Sequence, residues 1–520
     1  MSETRTPTSA SHVHGTSHAH AHDHGHDPAP ALGHAEDQAA AGGRSVQDYI
    51  DETPMWRDGT VVESAPLTGM QWRIWGLAAA GKFFEGLVVF MTGVALPLMS
   101  QEFSMGALEH GLVGAASLFG ILVGALLLGG LADQFGRRVM FIGEMALFIL
   151  FLVLLSVAPS FTWMVIFLFG VGLALGCDYP TAHLVISESI PSAARGRLVL
   201  SAFAFQAVGA LFGTAVGYLI LTFVPDLTAW RWMYATAIIP AVIVLAGRFF
   251  VTESSHWLVH KNRIPEAERE MMKLLKRHPN YPKQIKIKVK HSHHAPKPRH
   301  LLALFKGKNR RATILASVPW FLQDLATYGI GIFTPTILAS ALGSVTSVHP
   351  QDLTDIIAND MLAAEGAAFI DILLIVGMVG AILLADRLGR IPLQIFGFFG
   401  CAAGLLIASF SVDYTGGAQI TLIYVGFMLF NFMTNLGPNA QTYLLAGEVF
   451  PTHIRGLGAG FAAAFAKIGA VLTAFLFPLL LASIGTQALL YILVACALLG
   501  AFVTWHYRIE TKGLKLEDIE

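Results

Sequence analysis

Trp320, Asp324 and Tyr328 are spaced i, i+4 and i+8, which sets an indole, a carboxyl and a phenol on one face of a helix. They lie inside a long apolar run. Other apolar runs carry Gly176-Cys177-Asp178-Tyr179-Pro180, Gln206, Asn435 with Gly437-Pro438-Asn439, and Lys467. Lys82 and Glu85 share one run, Glu144 lies in another, and His183 follows Asp178 and Tyr179 by one turn. Charges in such surroundings are expensive, which makes each a functional candidate. As a set they suggest a polar cavity for a compact, hydrogen-bonding, anionic solute.

The chemistry follows from charge. A carboxylate in a low-dielectric cavity repels an anion held a few ångströms away. If Asp324 captures a proton, the repulsion vanishes and the acid becomes a hydrogen-bond donor to the anion. Proton and anion then bind with positive coupling, the thermodynamic basis of symport. Asp178, in the other half of the chain, is placed to pass the proton on, while Lys467 steers the anion and pairs with an ionised acid once it has left. Plainer readings stand beside these: Asp178 as a capped structural acid, Trp320 and Tyr328 as interface aromatics, Lys467 as a side chain reaching toward a membrane interface.

The elements that must hold these groups are legible in the composition. Of 520 residues, 54% are hydrophobic and 13% charged, against about 25% charged in soluble domains. A globule of this size could not be given a polar surface, so the chain is expected in a bilayer. Apolar runs cover about 74–99, 111–132, 139–158, 161–187, 199–224, 231–251, 312–342, 367–385, 391–412, 418–447, 457–484 and 486–506. Each is close to the roughly 20 residues that a spanning helix needs. Lys and Arg gather in one set of loops, at Arg137 and Arg138, Arg195 and Arg197, Arg387 and Arg390, and Arg455, and in the connection 252–311. The alternate loops 100–110, 343–366 and 413–417 carry none. This asymmetry predicts both termini on the cytoplasmic side of an inner (plasma) membrane. No apolar leader precedes residue 70, so the first helix is expected to act as its own targeting signal.

Internal repetition divides the chain into two halves. Asp133-Gln134-Phe135-Gly136-Arg137 returns as Asp386-Arg387-Leu388-Gly389-Arg390, and Glu188-Ser189-Ile190-Pro191 with Arg195 returns as Glu448-Val449-Phe450-Pro451 with Arg455. The domains read as a polar, disordered, His-rich tail (1–70), a six-helix bundle (71–251), a basic linker (252–311), a second six-helix bundle (312–507) and a short tail (508–520). Asp133 with Arg137 and Asp386 with Arg390 are gating candidates that latch the ends of the two bundles. Glu188 with Arg195 and Glu448 with Arg455 are further gating candidates, expected to form helix-end ion pairs. Thr252-Glu253-Ser254, after the sixth run, is expected to add gating contacts.

Gly130-Leu131-Ala132-Asp133-Gln134-Phe135-Gly136-Arg137-Arg138 resembles the helix 2–3 loop signature of the major facilitator superfamily, over roughly residues 70–510. The resemblance implies an all-α integral membrane protein of twelve helices in two pseudo-symmetric six-helix bundles. Asp-Tyr-Pro, Trp-x3-Asp-x3-Tyr, Gly-Pro-Asn and a lone Lys further resemble that superfamily's proton-coupled phosphate symporters. That resemblance implies substrate contacts from Tyr179, Gln206, Trp320, Asp324, Tyr328 and Asn439, and proton handling or anion attraction from Asp178 and Lys467. Glu85 and Glu144 are further proton-coupling candidates. The symporters' Asp-x-Tyr-Asp element reads Phe84-Glu85-Gly86-Leu87-Val88 here, keeping one acid and placing Lys82 beside it.

The expected function is secondary transport of a small anion, first inorganic phosphate, with a proton gradient as energy source and no cofactor. An organic acid or sugar symporter, a carrier linked to metal ions, and a non-transporting sensor stay open. His12, His14, His18, His20, His22, His24, His26 and His34 alternate with small residues and Asp, a pattern suited to weak, multivalent binding of a divalent metal without fixed geometry. His291, His293, His294 and His300 form a second cluster. The expected partners are the bilayer, the solute and protons. A net charge of −1 removes the case for nucleic acid. With no phosphate-binding loop and no nucleophile elbow, the sequence does not read as an enzyme.

Overall fold

Backbone groups in lipid have no water to bond, so each apolar run must close its hydrogen bonds internally as a helix. The computed structural model describes residues 44–52, 66–128, 131–276, 285–287, 301–346, 353–451 and 454–512. Among the described residues, ten helices are long and apolar enough to cross a membrane. The first half holds α1 (Gly69–Phe103), α2 (Ala107–Val123), α3 (Arg137–Ser156) and α4 (Phe161–Ser189). It is completed by α5 (Ser192–Phe203 and Phe205–Phe223, joined at Ala204) and α6 (Ala229–Arg248). The second half begins with α7 (Asn309–Thr346), α8 (Leu353–Leu388) and α9 (Arg390–Ser409). α10 is broken into Gly417–Leu436 and Pro438–Glu448. The long helix Arg455–Tyr507 turns at Gly485, where φ is 79°, and so supplies both α11 (455–484) and α12 (486–507). With that division, and with α7 as a further crossing, the expected twelve spans are present.

Two boundaries differ from expectation. The stretch 343–366, read as a loop, is mostly helical, because α7 runs to Thr346 and α8 starts at Leu353. At 1.5 Å per residue these helices exceed the hydrocarbon thickness, so they continue past the apolar run that revealed them. Residues 44–52, read as part of a disordered tail, are ordered. Ser45 caps the helix Val46–Asp51. Val46, Tyr49 and Ile50, at i, i+3 and i+4, pack on Met271, Leu274 and Leu275 of the linker. The linker itself contains the helices Ser255–His260 and Ile264–Leu274.

Small residues set the crossings that carry the site. On α1 and α5, a Cβ at Gly86 would meet the Gln206 carbonyl, one at Gly209 the Phe83 carbonyl, and one at Gly213 the Leu87 carbonyl. Bare backbone on both helices therefore lets them touch, and this brings Gln206 beside Glu85. In α10, Pro438 has no N–H to donate back along the helix, and the break at Gly437 lies against Leu393 and Gly397 of α9.

Candidate functional site

At the seam between the halves, Glu85 of α1 is a hub. Lys82 Nζ lies 2.9 Å from its Oε2 and Lys467 Nζ of α11 3.3 Å from its Oε1. Tyr328 Oη of α7 donates to Oε1 at 3.0 Å, and Gln206 Nε2 donates to Oε1 at 3.3 Å and to Tyr328 Oη at 2.9 Å. Lys467 Nζ also donates to Tyr328 Oη at 2.6 Å and pairs with Asp324 Oδ2 at 3.3 Å. Two ammoniums and two carboxylates thus share one cluster drawn from both halves, each at most 6% exposed.

Beside the cluster lies a small cavity lined by Gln206, Gln323, Thr327, Tyr328, Asn435 and Asn439, among others. Its room for the centre of a water molecule is about 20 Å³, enough for a water or two, so in this conformation the centre is shut. Asn439 Nδ2 donates to Asn435 Oδ1 at 2.7 Å, and Gln323 Nε2 to Thr327 Oγ1 at 2.8 Å. Among the described residues, Gln323 Oε1 is buried without a partner, an acceptor left over at the cavity wall.

Of the residues expected to touch substrate, Gln206, Asp324, Tyr328, Asn439 and Lys467 therefore converge. Trp320 stands one step back, edge-on to Tyr443 at 6.0 Å. The Tyr179 side chain lies outside the described residues. Tyr443 was missed: it stacks on Phe203 at 4.4 Å and lies 3.3 Å from His183 Nδ1, linking the halves below the cluster. Gln323 and Thr327 were also missed, although both are polar breaks in the α7 run.

The expectation for Asp178 and Glu144 needs correction. Neither lines the cavity. A Cβ on Gly81 would run into the Asp178 carboxylate, so α1 and α4 pack that acid between them, facing α6. There Arg248, fully buried, holds Asp178 Oδ1 at 2.7 Å and Glu144 Oε1 at 2.9 Å. It also donates to the carbonyl of Phe141 at 2.7 Å and stands 3.6 Å over that ring. Arg248, the last residue of the α6 helix, was overlooked.

The Arg-rich loops carry a second network, built twice. Gly136 (φ 104°) and Gly389 (φ 98°) turn the chain into α3 and α9 through a region that disfavours side chains. Arg137 then reaches Glu188 through Nη2 at 3.0 Å and Nε at 3.2 Å, and the Ala132 carbonyl through Nη1 at 2.9 Å. Arg390 repeats this with Glu448 at 3.2 Å through both nitrogens and with the Ala385 carbonyl at 3.0 Å. Glu253 accepts from the amides of Arg137 at 2.9 Å and Arg138 at 3.2 Å, and Ser254 bonds Glu188. Glu510 accepts from the amides of Arg390 and Ile391 at 3.0 Å, and Thr511 bonds Glu448 at 2.5 Å. Burial holds the Glu253 carboxyl above the usual range and pushes His256, beside this network, below the ordinary imidazole range.

One expectation falls here. Glu188 pairs with Arg137, not Arg195; among the described residues, Arg195 Nη2 reaches Ser192 Oγ at 3.5 Å. Each clip described joins an arginine to an acid of its own half. The side chains of Asp133, Asp386 and Arg455 lie outside the described residues, as do the histidines of the tail and the linker's second cluster.

Comparison with known proteins decides the family. Residues 76–520 match the family described as Sugar (and other) transporter. The chain belongs to this family of the major facilitator superfamily. The inner membrane metabolite transport protein YgcS of Escherichia coli is 28% identical over 457 residues, covering 88% of this chain and 95% of its own. The niacin transporter NiaP of Acinetobacter baylyi is 28% identical over 412 residues, covering 79% and 87%. Among solved structures, the proton:xylose symporter XylE superposes with a TM-score of 0.69 at 21% identity, covering 86% of this chain and 98% of that one. This transporter shares that fold, and as a multi-pass membrane protein of a transport family it is not an enzyme.

Proposed function

We propose that the chain is a proton-coupled symporter of a small anion, with inorganic phosphate as the first candidate and a monocarboxylate as its competitor. The observation that carries the reading is the buried cluster of Lys82, Glu85, Asp324 and Lys467 beside an amide-lined cavity. With all four ionised the cluster is neutral. An anion entering it leaves one uncompensated negative charge in a low-dielectric site, which is costly. One proton on Asp324 restores neutrality and frees the Lys467 ammonium for the anion. Charge balance thus sets one proton for each monovalent anion. Tyr328, Gln206 and Asn439 supply donors, and alternating access comes from rocking the halves around the cluster. A proton-driven sugar carrier is the second reading, supported by the spare acceptor of Gln323, which suits a hydroxyl rather than an anion.

Proteoliposome uptake of labelled phosphate, with and without an inward proton gradient, tests this. Wild type accumulates label only with the gradient. Asp324→Asn keeps exchange between equal pools but loses gradient-driven accumulation, and Asn439→Ala weakens both. Accumulation indifferent to the gradient refutes proton coupling. Competition by acetate or nicotinate without competition by phosphate moves the substrate to a carboxylate, and competition by xylose alone moves it to a sugar.

A further inference from the structure

Asp371 lies near the middle of α8, 4% exposed, within a run whose neighbours in sequence are apolar. It faces the seam between the halves. From α5, Thr214 Oγ1 lies 3.3 Å from its Oδ2, and from α10, Asn431 Nδ2 donates to its Oδ1 at 3.2 Å. Neither partner titrates. Among the described residues no lysine, arginine or histidine pairs with it, and no other charged group of the surrounding helices faces it. An ionised carboxylate at mid-membrane with two neutral neighbours and no cation is costly.

The polarity of the contacts says how that cost is avoided. The Thr214 hydroxyl has one proton and three oxygens within reach: the Leu211 carbonyl at 3.0 Å, the Ala210 carbonyl at 3.3 Å and Asp371 Oδ2. Threonines in helices give their proton to a carbonyl of the preceding turn, and the nearest acceptor here is Leu211. The hydroxyl then turns its lone pairs toward Asp371. An ionised Oδ2 would face those lone pairs with no donor between, whereas a protonated Oδ2 donates to Thr214 while Oδ1 accepts from Asn431. The proton of the acid and one of its acceptor positions are then matched.

We infer that Asp371 is a proton-binding site on the α5–α8 seam, separate from the central cluster. Its carboxyl proton bridges the two halves through Thr214. Rocking that slides α5 past α8 removes the acceptor and admits water, so the proton is released in the open-seam state and retained in the packed one. Proton affinity and seam packing are thereby linked, and linkage runs both ways: acid favours the packed seam.

The test uses full-length protein in lipid and requires no substrate. Infrared difference spectroscopy between acid and alkaline pH separates the carbonyl stretch of a protonated carboxylic acid from carboxylate bands. Wild type is expected to show a buried acid component that Asp371→Asn loses and that Asp324→Asn and Glu85→Gln keep. Thr214→Val, which keeps the shape and removes the acceptor, is expected to shift the frequency of that component. A spectrum unchanged in Asp371→Asn overturns the assignment. Should Asp371→Asn fail to fold, Thr214→Val decides alone: a shifted component supports the bridge and an unshifted one overturns it. Because Asp324→Asn is the control, a failure of the symport reading leaves this result standing.

Discussion

Neutralising Glu85 should cost more than removing one carboxylate from a protein surface, and the cost should be recoverable by a second deletion. Glu85 faces Lys82 at 2.9 Å and Lys467 at 3.3 Å, with all three side chains buried. At an effective dielectric constant near 20, each attraction is about 5 kcal/mol before desolvation. Breaking a buried pair from one side leaves the other charge stranded, at a net cost of about 3–5 kcal/mol. Glu85→Gln takes from Lys82 and Lys467 the carboxylate they share, so it should fall at the upper end of that range. Lys82→Met alone leaves Glu85 with Lys467 and should cost less. The double variant returns the cluster to charge balance and should be more stable than Glu85→Gln by about 2 kcal/mol, well beyond the ~0.5 kcal/mol expected of independent sites. Unfolding in mixed micelles, followed by tryptophan fluorescence, gives the four corners of the cycle. Additive losses would refute the shared cluster, as would a Glu85→Gln variant as stable as wild type, which would place water around the charges.

Arg248→Met strands Asp178 and Glu144 together and should destabilise the protein by about 3–5 kcal/mol. Adding Asp178→Asn and Glu144→Gln should recover most of that loss in the same unfolding assay. Arg390→Ala opens the second half's clip. With two charge-assisted bonds to Glu448 lost, each worth about 1.5–3 kcal/mol, proteolysis near residue 448 should rise several-fold while the first half stays protected. His256 is held neutral by burial, below its ordinary range near 6.5. Folded protein then holds fewer protons there than unfolded chain, so stability falls as pH drops through that range. His256→Gln should flatten this part of the melting-temperature profile, and an unchanged slope would remove His256 as its source.

The sequence made the helices and halves plain because run length and the Lys and Arg asymmetry are local properties. Much of the central cluster was legible for a similar reason: a polar residue in an apolar run must face something, and Asp324, Tyr328, Gln206 and Lys467 do face one another. What sequence could not supply was rotation about each helix axis. Asp178 turns away from the cavity because Gly81 leaves it room, a fact held by a different helix. Arg248 and Asp371 were readable as charges in apolar surroundings, yet neither formed part of a recognisable pattern. Glu188 had two arginines within reach in sequence, and only tertiary packing chooses Arg137. The Glu510-Thr511 counterpart of Glu253-Ser254 sits at nearly the same offset as the other repeats and was open to discovery by extending the comparison past the last helix.

That counterpart changes the standing of the residues after Tyr507. In the first half, the segment holding Arg137 and Glu188 in place is the start of the linker between the halves; in the second, the same work falls to the residues that follow α12. A fusion partner or purification handle joined directly after α12 would therefore unfasten one repeat while sparing its twin, and a spacer placed beyond Lys512 would keep both fastened.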